Sequence, residues 1–142
     1  MLRISRTAAV LATMALPLSA TAQEDLGPRL SLELNTTAPA ENGCTLTFLA
    51  LNGHESDIQR VVFEAVLFDT GGQVDRLTLF DFGTLPAGRP RVRQFVVPGL
   101  ACDGLGQILI NGASTCEAGE LGAGACSDDL LLETRTETEV IG

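Results

Sequence analysis

Between Leu30 and Val140 the chain is cut by glycine- and proline-bearing turns at roughly 10–15-residue intervals, and no stretch between them holds a 3.6-residue period. What fits between such turns is a short strand. Residues 30–34 alternate apolar and polar, and residues 44–51 put Leu46, Phe48 and Ala50 on one face. Residues 61–69 carry the strongest strand signal: Phe63, Ala65 and Leu67 point one way, and Val62, Glu64, Val66 and Phe68 the other. The turn Asp69-Thr70-Gly71-Gly72 leads into an extended return over 73–80, which predicts a β-hairpin. Residues 81–89 read as a connector with Gly83, Pro86 and Gly88. Residues 90–97 and 107–110 read as strands, 112–124 as a small-residue loop, and 130–140 as one last extended run. About seven short strands with this punctuation predict an all-β, immunoglobulin-like antiparallel sandwich.

The first 22 residues read differently. Arg3 and Arg6 make a short basic start, 7–18 an apolar core, and Ala20-Thr21-Ala22 a small-x-small cleavage site. This is the build of a secretory signal peptide (1–22), and it leaves one domain at 23–142. The apolar core is shorter than the about 20 residues a membrane span needs. No later run approaches that length, because Arg60, Asp69, Arg76 and Asp81 interrupt the most apolar region. The expectation is a periplasmic or secreted product with no membrane insertion after cleavage.

Charge narrows the partners. All nine basic residues are arginine, and eighteen are acidic. Cleavage removes two arginines and no acid, leaving seven against eighteen, a net charge of −11. Such an acidic surface is expected to keep the chain monomeric or at least dispersed, and offers nucleic acid no basic surface.

Four cysteines, Cys44, Cys102, Cys116 and Cys126, all lie in the mature part. An even count in an exported chain predicts two disulfides, whereas zinc needs short paired spacings that are lacking here. Of the three connectivities, Cys44–Cys102 and Cys116–Cys126 are favoured. The first staples an early strand to the end of a late one, and the second closes a flexible glycine- and alanine-rich loop.

The motifs Val66-Leu67-Phe68-Asp69, Thr70-Gly71-Gly72, Gln73-Val74 and Leu85-Pro86-Ala87-Gly88 lie within residues 52–110. This segment resembles bacterial extracytoplasmic immunoglobulin-like modules related to the FxLYD domain. Phe68 stands where that family has Tyr, and the four cysteines fall outside its pattern. The resemblance implies an immunoglobulin-like sandwich with a non-catalytic role in binding or spacing. The all-arginine, Ala- and Gly-rich composition also resembles small exported proteins of GC-rich proteobacteria.

Candidate chemistry is sparse. His54, in Asn52-Gly53-His54-Glu55-Ser56-Asp57, is the only histidine, so it reads as a loop residue rather than a ligand or base. Ser31, Ser56, Ser114 and Ser127 sit in no nucleophile motif. Asp69, Asp75, Asp81, Asp128 and Asp129 suggest calcium, yet no calcium-loop pattern is present, and neither a metal nor a cofactor is expected. Arg89, Arg91 and Arg93 share one strand face by period 2. They are a candidate anion-binding cluster, or else charges on the outward face of an edge strand. The expected function is that of an exported, non-enzymatic binding or accessory module whose partner is another periplasmic or envelope protein. The alternative is a periplasmic calcium- or anion-binding protein.

Overall fold

A computed structural model describes residues 25–142; the expected signal peptide and its cleavage site lie outside the described residues. Eight strands follow in order: β1 (Leu30–Ala40), β2 (Gly43–Asn52), β3 (Ile58–Asp69), β4 (Val74–Leu85), β5 (Arg91–Pro98), β6 (Leu105–Glu117), β7 (Leu131–Thr134) and β8 (Glu139–Ile141). They form two four-stranded sheets, β5-β2-β1-β7 and β4-β3-β6-β8. The first, second and fifth strands stand against the third, fourth and sixth, as in an immunoglobulin-like sandwich. Pairing is antiparallel except at the C-terminus, where β7 runs parallel to β1 and β8 parallel to β6.

The core lies between the sheets and is built on period 2. In β2 every second residue from Cys44 to Asn52 is buried. Five of the six phenylalanines meet there. Phe48 sits 5.6–6.1 Å from Phe80, Phe82 and Phe95, Phe63 packs on Phe82, and Phe80 packs on Phe95 at 4.6 Å. Phenylalanine suits this place because its ring brings no polar atom that would need a partner. The alternation read in β3 holds: Phe63, Ala65 and Leu67 are fully buried, and Phe68 lies on the other face.

The largest departures from the sequence reading lie at four places. β1 continues to Ala40 through a register shift at Asn35, and a two-residue turn joins it to Gly43. Pro39 is tolerated because β7 flanks only residues 31–34, so that end of β1 needs no outward donor. β4 runs through the expected connector to Leu85. Gly83, at φ +64°, forms a bulge instead of ending the strand, and Phe82 and Leu85 are buried beside it. β6 extends to Glu117, with its small residues paired against β3. The run 130–140 is two strands, because the chain crosses from one sheet to the other between Thr134 and Glu139.

Both expected disulfides are present. Cys44–Cys102 (Cα–Cα 5.0 Å) ties the start of β2 to the 3-10 turn that leads into β6 in the opposite sheet. Cys116–Cys126 (6.0 Å) folds the segment after β6 back on its end. Among the described residues no helix is long and apolar enough to cross a membrane, and the two disulfides fit an oxidising compartment.

Candidate functional site

The residues singled out for chemistry serve the fold. His54 is half-buried, and its Nε2–H donates to the Ala125 carbonyl at 2.8 Å, pinning the 3-10 turn that carries Cys126. Its backbone N–H donates to Asn52 Oδ1. Asn52 is fully buried, and its Nδ2 donates to the carbonyls of Ser56 and Leu85. One buried amide therefore shapes the whole β2–β3 loop, and it is the organising residue that the sequence reading missed. An Asn closing a strand before Gly-His was the only signal for it.

The carboxylates do not converge. Asp69 Oδ1 accepts from the Gly71 and Gln73 amides, and Asp75 pairs with Arg76. Asp81 accepts from the Gly83 amide and from Arg60 at 2.8 Å; these bonds, the Arg60 one foremost, hold its carboxyl below the usual range. Glu33 accepts from Asn35 and from Arg135, and those bonds likewise lower its pKa, Asn35 contributing most. Among the described residues no three His, Cys, Asp or Glu side chains are grouped to hold a metal ion. A cleft of about 520 Å³ at the Cys44–Cys102 end is lined by turn backbone with Glu41 and Asp103, and no basic or nucleophilic side chain lines it.

The structure does not hold the three arginines on one outward strand face. β5 starts at Arg91, so Arg89 lies outside it in the connector. Phe95 and Val97 fill the interior side of β5, and Arg91 and Arg93 share that parity. Arg93 points across the open side of the sandwich, whereas Arg91 donates to the carbonyl of its neighbour Pro90. Arg93 donates to Phe82 O (2.7 Å), Thr84 O (3.0 Å) and Val92 O, which bridges the edge of one sheet to the edge of the other. Arg76 answers from β4 by donating to Pro98 O. Val92 and Val96 take the outward positions.

The two outward faces differ in chemistry. That of β5-β2-β1-β7 carries Thr36, Thr45, Thr47 and Gln94, the last two hydrogen-bonded to each other, together with Val92 and Val96, both more than half exposed, on the edge strand β5. That of β4-β3-β6-β8 carries a complete apolar row, one residue from each strand, in the direct register Leu77–Val66–Leu109–Ile141. Leu77 is 61% exposed and Ile141 43%. Phe68 and Val74 flank the row on one side and Leu79 on the other, with Val74 and Leu79 more than half exposed. Val66 within the row is only 8% exposed, so the solvent-facing apolar surface is that of Val74, Leu77 and Leu79 on β4 and of Ile141 on β8; a domain in water exposes single apolar residues freely but seldom several on one face. This face is the candidate functional site. The sequence reading saw its parity in β3 alone; the row appears only when four strands are set in register. No protein-family model matches the chain, and no curated protein or solved structure matches it.

Proposed function

We propose that the protein is an exported, non-enzymatic binding or accessory module of the periplasm or cell envelope, working through the outward face of the β4-β3-β6-β8 sheet. Its partner is a protein of the same compartment. The row Leu77–Val66–Leu109–Ile141 carries this reading, because covering it removes apolar surface from water at about 25 cal/mol per Å². The disulfides and the leader-like first 22 residues support the compartment. The engagement of His54 and the scatter of the carboxylates support a non-catalytic role.

A photo-reactive residue placed at Leu77 and, as control, at Gln94 on the opposite face tests the reading in the native host. The expected result is a discrete protein adduct from position 77 and none from position 94. Equal labelling from both faces, or no adduct at all, would defeat the proposal.

A further inference from the structure

The chain has four asparagines, and three of them, Asn42, Asn52 and Asn111, are followed by glycine. Asn-Gly is the pair in which a side-chain amide is most easily lost, because the glycine nitrogen can attack the asparagine Cγ with no β-carbon in the way. The fold itself keeps glycine at these places. A β-carbon on Gly43 would stand 2.1 Å from the Val97 carbonyl oxygen, and one on Gly53 2.2 Å from that of Gly27. Gly112 takes φ +134°, which favours glycine. Asn35 precedes Thr36, whose branched side chain crowds the same attack.

The three pairs are held differently. Asn52 is buried, its amide is bonded to Ser56, Leu85 and His54, and the Gly53 N–H donates to Arg29 O at 2.9 Å. Both groups that would react are occupied. Asn111 is exposed, but its side chain donates to the Glu64 carboxylate, and Gly112 lies within the β3–β6 ladder opposite Glu64. Asn42 is exposed in the two-residue turn between β1 and β2, and Gly43 stands opposite Ala40 at the end of that ladder. Opening one turn frees its nitrogen, the least costly kind of local opening. What the fold takes from Asn42 is its backbone carbonyl, which accepts from the Gly99 N–H at 2.6 Å.

We infer that Asn42 is a modification site that deamidates spontaneously in the folded protein, while Asn52 and Asn111 are spared. The Gly43 nitrogen bonds to Asn42 Cγ, its proton leaves with the side-chain NH2 as ammonia, and a cyclic imide remains. Water then opens the ring, and no oxidant or reductant is needed. Addition at Cγ gives aspartate with the original backbone. Addition at the backbone carbonyl carbon gives isoaspartate, in which the chain runs through the former side chain. Either product adds a carboxylate to the cleft of about 520 Å³ already lined by Glu41 and Asp103. The isoaspartate also lengthens the turn by one backbone carbon and turns the carbonyl that Gly99 holds into that carboxylate.

Warm incubation of the disulfide-bonded protein in mildly alkaline buffer, beside a reduced and alkylated sample in urea, tests this. Cleavage at Arg29 and Arg60 leaves Asn35, Asn42 and Asn52 on one peptide, so fragment-ion masses assign the site. In the folded protein Asn42 converts first. Asn111 follows about tenfold or more slowly, the factor that one charge-assisted hydrogen bond corresponds to, and Asn52 converts only as the protein unfolds. In urea the three rates converge. Ion exchange resolves the product as a more acidic species, and Asn42→Gln removes that early species, because a glutamine has to close a larger ring. An Asn42 still intact in the folded protein when the urea sample has converted overturns the inference, as does an Asn111 or Asn52 that converts as fast. An early acidic species that forms undiminished in Asn42→Gln overturns it too.

Discussion

Asn52 shows how much of a loop can hang on one side chain. It is fully buried, gives two N–H bonds and accepts one, and every one of its amide contacts is to backbone. Asn52→Ala leaves the Leu85 carbonyl without its buried donor and frees the His54 amide. A cost of about 2–3 kcal/mol follows, the range for orphaned buried polar groups. Asn52→Asp keeps the acceptor but offers no donor and buries a charge, so it should cost at least as much. Urea denaturation of both variants checks this; an Asn52→Asp variant as stable as the parent would mean that the amide donors do not matter. Arg93 makes the same point for arginine. Its spacing from Arg91 was legible as a shared face, but which face followed from Phe95, whose ring must enter the aromatic cluster. The guanidinium then has bare β4 carbonyls within reach, and its planar fork suits two of them at once.

At the scale of elements, the C-terminal run is the instructive one. Period 2 over the run puts Leu130 and Leu132 in the core and the charges in solvent; Thr138 and Val140 are buried and Glu137 and Glu139 exposed, but Leu130 and Leu132 are only half-buried and Thr134 is exposed. The turn within it was not expected. Thr134 ends beside β1, and the chain then crosses to β6, with Thr138 Oγ1 donating to Leu105 O inside the crossing. Arg135 holds the corner through its amide, which donates to Leu34 O, and its side chain, which reaches Glu33. Because the folded Glu33 carboxyl ionises below its ordinary value of 4.5, its contribution is complete at neutral pH. It is lost as pH falls below that value and through the lowered one. Exposure of Arg135, at 69%, keeps the effect small. The stability gap between the parent and Glu33→Gln should therefore narrow as pH is lowered from neutral into the acid range. Urea midpoints along a pH series measure it, and a gap that widens in acid would reverse the assignment.

At the scale of the molecule, two covalent links close loops of very different length, with sequence separations of 58 and 10. The longer link joins the two sheets, while the shorter is local. In the chain-entropy account the longer closure stabilises by about 1.5 kcal/mol more. The double variant Cys44→Ala/Cys102→Ala should accordingly unfold at lower urea than Cys116→Ala/Cys126→Ala. The opposite order would place the main constraint on the denatured chain in the segment after β6, where His54 also holds Ala125. The same two-layer architecture leaves one outward face with threonines and two valines of its edge strand and the other with an apolar residue from each of its four strands, and this difference makes the second sheet the candidate for contact with other proteins.

The sequence alone determined the class of fold, the faces of β2 and β3, and the cysteine pairing. These depend on short-range physics: period 2 assigns a side chain to a face, and turn residues set where a hairpin bends. Compartment, too, was readable as an expectation from the first 22 residues and the even cysteine count. Tertiary structure decided where strands stop, since Asp81–Leu85 and Asn111–Glu117 are extended only because β3 offers them partners. It decided the direction of the arginine stripe, the split of the C-terminal run between two sheets and the role of Asn52. Above all, it assembled Leu77, Val66, Leu109 and Ile141 into one row. Those residues are 11, 43 and 32 positions apart in successive steps along the row. Local pattern can say that each points outward, but only strand register makes them neighbours.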